Sequence, residues 1–242
     1  MKRQRIRRGL ILISFLFFPV TLYYFSPALI IEGAAKGIIV GSFIVFALQF
    51  ASALYFGRAF CSWVCPGAGL QEACFLARDK RAKGGRLNRI KYFIWVPWIS
   101  IIALMAIRAG GLHSVDFFFM TTYGISVAEP GAYIIFYVVV GLITILALTA
   151  GRRSFCHYSC WMAPFMIIGT KIRNTFKWPS LHLNVDKDKC ANCKKCAGNC
   201  PISLDVNKMV QSGSMINTEC ILCGTCVDNC PNKAISYSFR AG

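Results

Sequence analysis

The sequence predicts an α-helical membrane domain of four transmembrane helices, built as two repeated hairpins, followed by a small α+β domain. Three observations predict it. The 242 residues are 56% hydrophobic and only 15% charged, against about 25% charged in soluble globular chains. The apolar residues gather into four long runs, with Lys and Arg concentrated on alternate sides of them. Eight of the 13 cysteines fall within residues 190–242. This composition excludes a disordered chain, a collagen and an ordinary soluble enzyme.

The four runs are Leu10–Ile31, Gly37–Phe56, Tyr92–Ile107 and Gly131–Ala150. A helix needs about 20 residues to cross ~30 Å of hydrocarbon. The first, second and fourth runs meet that length. The third is 16 residues long, bounded by Lys91 and Arg108, and spans if both side chains snorkel. Pro19 and Pro97 are acceptable because neighbouring helices can satisfy the freed carbonyls. A signal-peptide core would be ~7–15 residues; the first run is longer and reads as a retained helix. Membrane-spanning helices are therefore expected at about 10–31, 37–56, 92–107 and 131–150.

The 27 Lys+Arg against 10 Asp+Glu give a formal charge of +17, and their distribution decides what that means. The N-terminal tail, the segment 57–91 and everything from Gly151 onward hold 25 of them, while the two intervening loops hold Lys36 and Arg108 alone. Basic loops stay on the cytoplasmic side, so both termini are expected inside a cytoplasmic (inner) membrane. No recognised nucleic-acid-binding motif accompanies the charge, so no nucleic-acid partner is expected.

The C-terminal cysteines read Cys190-x2-Cys193-x2-Cys196-x3-Cys200-Pro201 and Cys220-x2-Cys223-x2-Cys226-x3-Cys230-Pro231. This run is recognised as the bacterial two-cluster ferredoxin signature, in which each fourth cysteine ligates the other cluster. Three closely spaced cysteines wrap one side of a cubane, and the fourth thiolate arrives from elsewhere. One [4Fe–4S] cluster is expected on Cys190, Cys193, Cys196 and Cys230, and a second on Cys220, Cys223, Cys226 and Cys200. Zinc sites group cysteines in separated pairs, and disulfides are disfavoured in a reducing cytoplasm. Leu181, Leu183 and Val185 alternate before the first run, and Ile235, Tyr237 and Phe239 after the second; each is a strand pattern, expected to pair antiparallel as a lid. The ferredoxin domain is expected over 181–242, after a four-helix membrane domain over 1–177 that ends in an amphipathic segment, Trp161–Lys177.

Four further cysteines form an internal repeat. Gly57-Arg58-Ala59-Phe60-Cys61-x3-Cys65 follows the second run, and Gly151-Arg152-Arg153-Ser154-Phe155-Cys156-x3-Cys160 follows the fourth. If the chain stays helical there, Cys-x3-Cys places both thiols on one face. Two facing pairs make a four-thiolate site. Three readings stand: a third [4Fe–4S] cluster, redox thiols or a soft-ion site for Cu(I), and small buried hydrophobes. Cys74 is unpaired and reads as structural.

The segment Phe60-Cys61-Ser62-Trp63-Val64-Cys65-Pro66, with Gln71-Glu72 following, resembles the NapH/NosR-type membrane ferredoxin proteins. That family joins four or more membrane helices, two cytoplasmic Cys-x3-Cys-Pro motifs and a two-cluster ferredoxin domain. The second motif departs from the pattern: it reads Cys160-Trp161, with proline only at Pro164. The resemblance implies electron transfer between the quinone pool or a cytoplasmic donor and reductases outside the membrane. Close relatives serve in cofactor maturation, including copper handling.

Absences narrow the reading. There is no Cys-x-x-Cys-His haem attachment motif and no Gly-rich dinucleotide fingerprint. A membrane b-haem wants two facing imidazoles, whereas His113 is expected on the outer side and His157 on the inner. Buried ionisable groups within the spans, the mark of proton pumps, are nearly lacking. His157, Trp63 and Trp161 are candidates for a quinone or cluster environment, and Phe117–Met120 for an outer docking patch or a loop folded back. The expected function is a membrane-bound electron-transfer protein, the subunit of a quinol dehydrogenase-like oxidoreductase complex. Its expected partners are membrane quinone or a redox partner subunit, and a cytoplasmic electron donor or acceptor. The alternatives are a maturation or redox-regulatory factor that reduces a metal ion or partner thiol, and a passive anchor.

Overall fold

The computed structural model describes residues 2–241. Its first apolar run does not form the single helix expected over 10–31. It divides into α1 (Lys2–Leu16), α2 (Phe18–Thr21), a 3-10 turn (Leu22–Phe25) and α3 (Pro27–Ala35). Two prolines cause the breaks. Pro19, in the first turn of α2, lacks the N–H that would continue α1. Pro27 opens α3 behind Ser26, whose backbone is extended and whose hydroxyl accepts the Leu29 N–H at 3.4 Å, a favourable N-cap followed by proline. The axes before and after Phe17 differ by 61°.

The second run is also shorter as a helix than expected. Its β-branched start forms β1 (Ile38–Val40), which pairs in parallel with β2 (Ser114–Asp116) in the following loop. Only α4 (Gly41–Phe56) remains helical, at 16 residues. Two short helices follow, α5 (Phe60–Trp63) and α6 (Pro66–Ala73), and then α7 (Ile90–Arg108). The last long apolar helix is α8 (Pro130–Ala150). Among the described residues, two helices are long and apolar enough to cross a membrane, α7 with the turn before it (Gly85–Arg108) and α8; the bent α1–α2 segment counts as a third if taken as one span. By length and composition the described residues do not reach the four spans expected from the sequence. Phe93, Ile107, Tyr137 and Ile145 stand exposed on α7 and α8, as on helices that face lipid.

α9 (Ser154–Tyr158) and α10 (Ala163–Phe176) follow α8 as α5 and α6 follow α4. Helices close where side chains are small. A Cβ on Gly69 of α6 would sit 2.1 Å from the Ile11 carbonyl oxygen of α1, and one on Gly169 of α10 would sit 2.9 Å from the Ala53 Cβ of α4. The loop 108–130 folds back on the break in the first run. Phe117 stacks on Tyr24 with centroids 5.1 Å apart, and Val127 donates to the Pro19 carbonyl at 3.0 Å. Phe118 and Met120 remain exposed.

The C-terminal part pairs β3 (Ser180–Val185) antiparallel with β4 (Ile235–Arg240), with Leu183 opposite Tyr237, as the alternation predicts. Between them lie α11 (Lys195–Gly198), α12 (Val206–Gln211) and α13 (Thr225–Asp228). α11 and α13 each start behind a left-handed residue, Lys194 and Gly224, so the two cysteine runs share one backbone path.

Candidate metal centre

Each C-terminal cysteine run turns tightly, and the turns place their thiols around two cavities. Cys190, Cys193, Cys196 and Cys230 line one of about 20 Å³, closed by Val210 and Ile235. Cys200, Cys220, Cys223 and Cys226 line the other, of about 20 Å³, beside Ile221 and Met215. Each cavity takes three thiols from one run and the fourth from the other run. Among the described residues no three His, Cys, Asp or Glu side chains converge on a single metal-ion position; the thiols surround a space. The chemistry of the donors suits an iron–sulfur group. N–H donors already point at sulfur: Ala234 at Cys230 (3.3 Å) and the Gln211 amide at Cys190 (3.4 Å), contacts that tune cluster potentials. Burial pushes the Cys200 thiol up to about 12 and that of Cys220 to about 11. A metal that binds there must displace their protons.

The repeat builds a third cluster of thiols at the boundary between the apolar helices and the C-terminal domain. Gly57 (φ 54°) and Gly151 (φ 105°) turn the chain out of α4 and α8. A Cβ at Gly151 would lie 2.5 Å from the Lys80 carbonyl oxygen, so only glycine fits there. Cys61 and Cys156 then ride on α5 and α9. The helix does not continue to the second cysteine of either motif. Cys65 is extended (φ −62°, ψ 123°) before Pro66, because the residue before proline avoids the helical region. The expectation of one helix face per pair is corrected accordingly. Cys61 and Cys156 face the core shared with Ile221 and Leu222 of the C-terminal domain, while Cys65 and Cys160 face the core shared with Trp98 and Ile143 of the membrane helices. All four are buried. Burial pushes the Cys160 thiol up to about 12. The Cys61 thiol lies 3.3 Å from the Met166 thioether, and the Gln71 amide donates to Cys156 at 3.3 Å.

A largely apolar cavity of about 220 Å³ opens beside these thiols. Cys65, Cys156, Cys160 and Trp161 line it, with Val139 and Ile143 of α8; Cys61 does not. Trp161 donates from Nε1 to the Phe25 carbonyl at 3.1 Å. The other two predicted environment residues lie elsewhere. Trp63 reaches the Leu222 carbonyl at 3.5 Å. His157 is buried between Asn88 Oδ1 (2.9 Å) and the Ile202 carbonyl (3.0 Å). Burial holds its imidazole down at about 4, so it is neutral and carries one N–H. That proton belongs on Nε2, which donates to the Ile202 carbonyl; Nδ1 then accepts, with the Asn88 amide turned to present its NH₂.

The cysteine pattern did not disclose the charged residues around these thiols. Glu72 is held by Arg7, whose Nη2 lies 2.8 Å away, and by Arg153. Glu219 is held by Arg58 at 2.5 Å and Lys91 at 2.6 Å. The four cationic side chains are wholly buried. Arg58 and Arg153 could have been found, since each precedes the first cysteine of its motif by three residues. Glu219 had no signal of its own.

This arrangement defines a ferredoxin-type iron–sulfur protein of the membrane. Residues 189–235 match the 4Fe-4S dicluster domain family, and residues 38–83 and 133–179 each match the 4Fe-4S binding domain family. The chain is related to the NapH- and NosR-type proteins. It is 25% identical over 197 residues to the ferredoxin-type protein NapH of Haemophilus influenzae, covering 76% of this chain and 63% of that one. It is 26% identical over 201 residues to the regulatory protein NosR of Stutzerimonas stutzeri, covering 76% of this chain and 25% of NosR. It is also 27% identical over 229 residues to YccM of Escherichia coli, assigned provisionally to electron transport, covering 86% of this chain and 57% of YccM. The chain thus spans less than two thirds of the length of each of these three relatives. No solved structure matches it.

Proposed function

We propose that this chain is a membrane-bound electron-transfer protein that passes electrons between cytoplasmic-side iron–sulfur clusters and the quinone pool or a membrane-associated redox partner. The observation that carries the reading is the sharing of each C-terminal cavity by three thiols of one run and one of the other. In this reading Cys190, Cys193, Cys196 and Cys230 hold one cluster, Cys220, Cys223, Cys226 and Cys200 a second, and Cys61, Cys65, Cys156 and Cys160 a third. Bound [4Fe–4S] clusters supply one-electron transfer; the chain supplies their spacing and electrostatics. The cavity beside Cys65 and Cys160 is more than twice the volume of either C-terminal cavity. It leaves space for a quinone head group next to the third centre, with Trp161 in its wall. Both termini and the loop 57–91 lie on the cytoplasmic side.

Anoxic purification followed by iron analysis tests the centres: about twelve irons per chain are expected, falling by about four in Cys65→Ala. Re-oxidation of the dithionite-reduced protein by a quinone analogue tests the acceptor. Failure of any quinone analogue to accept electrons would remove the quinone half of the proposal.

A second reading has one observation in its favour. Cys61 and Met166, with their sulfurs 3.3 Å apart, are soft ligands of the kind that select Cu(I), and the relative NosR is named a regulatory protein. A maturation factor that reduces copper would bind Cu(I) at this pair with loss of affinity in Met166→Leu. An unchanged affinity would exclude that site.

A further inference from the structure

The described residues bury more positive charge than they balance. Arg7, Arg58, Lys91, Arg153 and Arg173 are all buried. They meet two carboxylates, Glu72 and Glu219. Arg173 meets only carbonyl oxygens, of Leu181 at 2.8 Å and Tyr55 at 3.4 Å. Buried guanidinium N–H groups are left without partners at Arg58 Nε and Nη2, Arg153 Nε and Arg173 Nε. An unpaired buried charge is among the costliest features a fold can carry. The excess is not scattered. The Arg58 guanidinium stands beside Cys61 and within electrostatic reach of Cys156 and Cys160. Arg153 donates to the Cys61 carbonyl at 2.6 Å and is within electrostatic reach of Cys156 and Cys223. The two arginines are equivalent in the internal repeat, and each is tied to one glutamate.

We infer that Arg58 and Arg153 are positioning residues for an anionic group held by Cys61, Cys65, Cys156 and Cys160, and that their uncompensated charge raises its reduction potential. The inference rests on the proposed third cluster. A one-electron reduction adds one negative charge to a group already anionic through its four thiolates, and fixed cations with free N–H donors favour that more negative state. Glu72 and Glu219 set the size of the effect, since each cancels part of the excess.

EPR-monitored redox titration of the full-length, anoxically purified protein tests this, with the third signal identified by its loss in Cys65→Ala. Arg58→Gln is expected to shift the midpoint of that signal down. Glu219→Gln is expected to shift it up, because one cancelling charge is removed. Arg58→Lys keeps the charge but loses the planar donor fork, and is expected to shift it down by less than Arg58→Gln. The opposite signs separate an electrostatic role from loss of structure, which would not raise the potential in one variant and lower it in another. If Arg58→Gln loses iron, Arg58→Lys and Glu219→Gln carry the test. Full iron content with one midpoint in every variant overturns the inference and leaves the third cluster standing. Eight irons per chain in the unaltered protein overturns both.

Discussion

Gln4 donates from Nε2 to the Cys223 carbonyl at 2.9 Å, across 219 residues of sequence. The basic N-terminal tail is therefore a clasp on the loop that carries Cys223 and Cys226. Asp228 accepts Gln4 and Arg3, each at 2.6 Å, and the Arg3 guanidinium lies 4.9 Å from the centre of the Tyr237 ring. Asp228→Ala removes both acceptor contacts. Charge-assisted bonds contribute about 1.5–3 kcal/mol each, less at this partly exposed pair. Amide exchange across 222–228 is expected to quicken by about tenfold, the equivalent of ~1.4 kcal/mol. Unchanged exchange would show that the clasp holds nothing.

The crossing of α1 and α6 depends on Gly69. Alanine there places a methyl 2.1 Å from the Ile11 carbonyl oxygen, and overpacking of this kind costs about 1–3 kcal/mol. This exceeds the ~0.5–1 kcal/mol that Gly→Ala contributes in an open helix position. Gly69→Ala is expected to lower the melting temperature. Gly141→Ala in α8, where nothing lies within 4 Å, is expected to leave it level or raise it.

Acid should weaken the boundary between the domains. Burial alone would raise the carboxyl of Glu72, but Arg153 and Arg7 hold it below its ordinary value of 4.5. Burial opposes Arg58 and Lys91 at Glu219 with the same net result. The folded protein then binds fewer protons than the unfolded chain near that pH. The stabilisation is complete above about pH 4.5 and is lost as pH falls through the folded-state values. Urea midpoints are expected to fall below about pH 4.5, and less steeply in the Glu72→Gln/Glu219→Gln double variant. Parallel curves would refute the assignment.

Filling the large cavity should separate quinone access from cluster binding. Val139 of α8 lines it, and Val139→Trp is expected to slow re-oxidation by a quinone analogue by about tenfold or more, a loss of ~1.4 kcal/mol. Iron content should stay at the wild-type value. Equal rates would place the acceptor elsewhere.

Several features were legible from the chain because they are local. The period-2 alternation at Leu181–Val185 and Ile235–Phe239 gave β3 and β4, and the amphipathic stretch after Trp161 gave α10. The grouping of the eight C-terminal cysteines came from recognising the two-cluster ferredoxin signature; short turns fix only where the three neighbouring thiols of each run point. The breaks in the first run were less legible. Hydropathy reports burial in lipid but not continuity of the hydrogen-bond ladder, and Pro19, Ser26 and Pro27 interrupt that ladder without lowering the apolar content.

Composition, charge alternation and cysteine spacing by themselves determined that this is a membrane protein with an iron–sulfur ligand set. Each is a property of one residue or of residues a few positions apart. The tertiary structure alone decided that Arg58 meets Glu219, that Gln4 reaches Cys223, and that each Cys-x3-Cys pair divides its thiols between two cores. Those contacts join segments far apart in the chain, where only packing in three dimensions can bring buried charges to their partners.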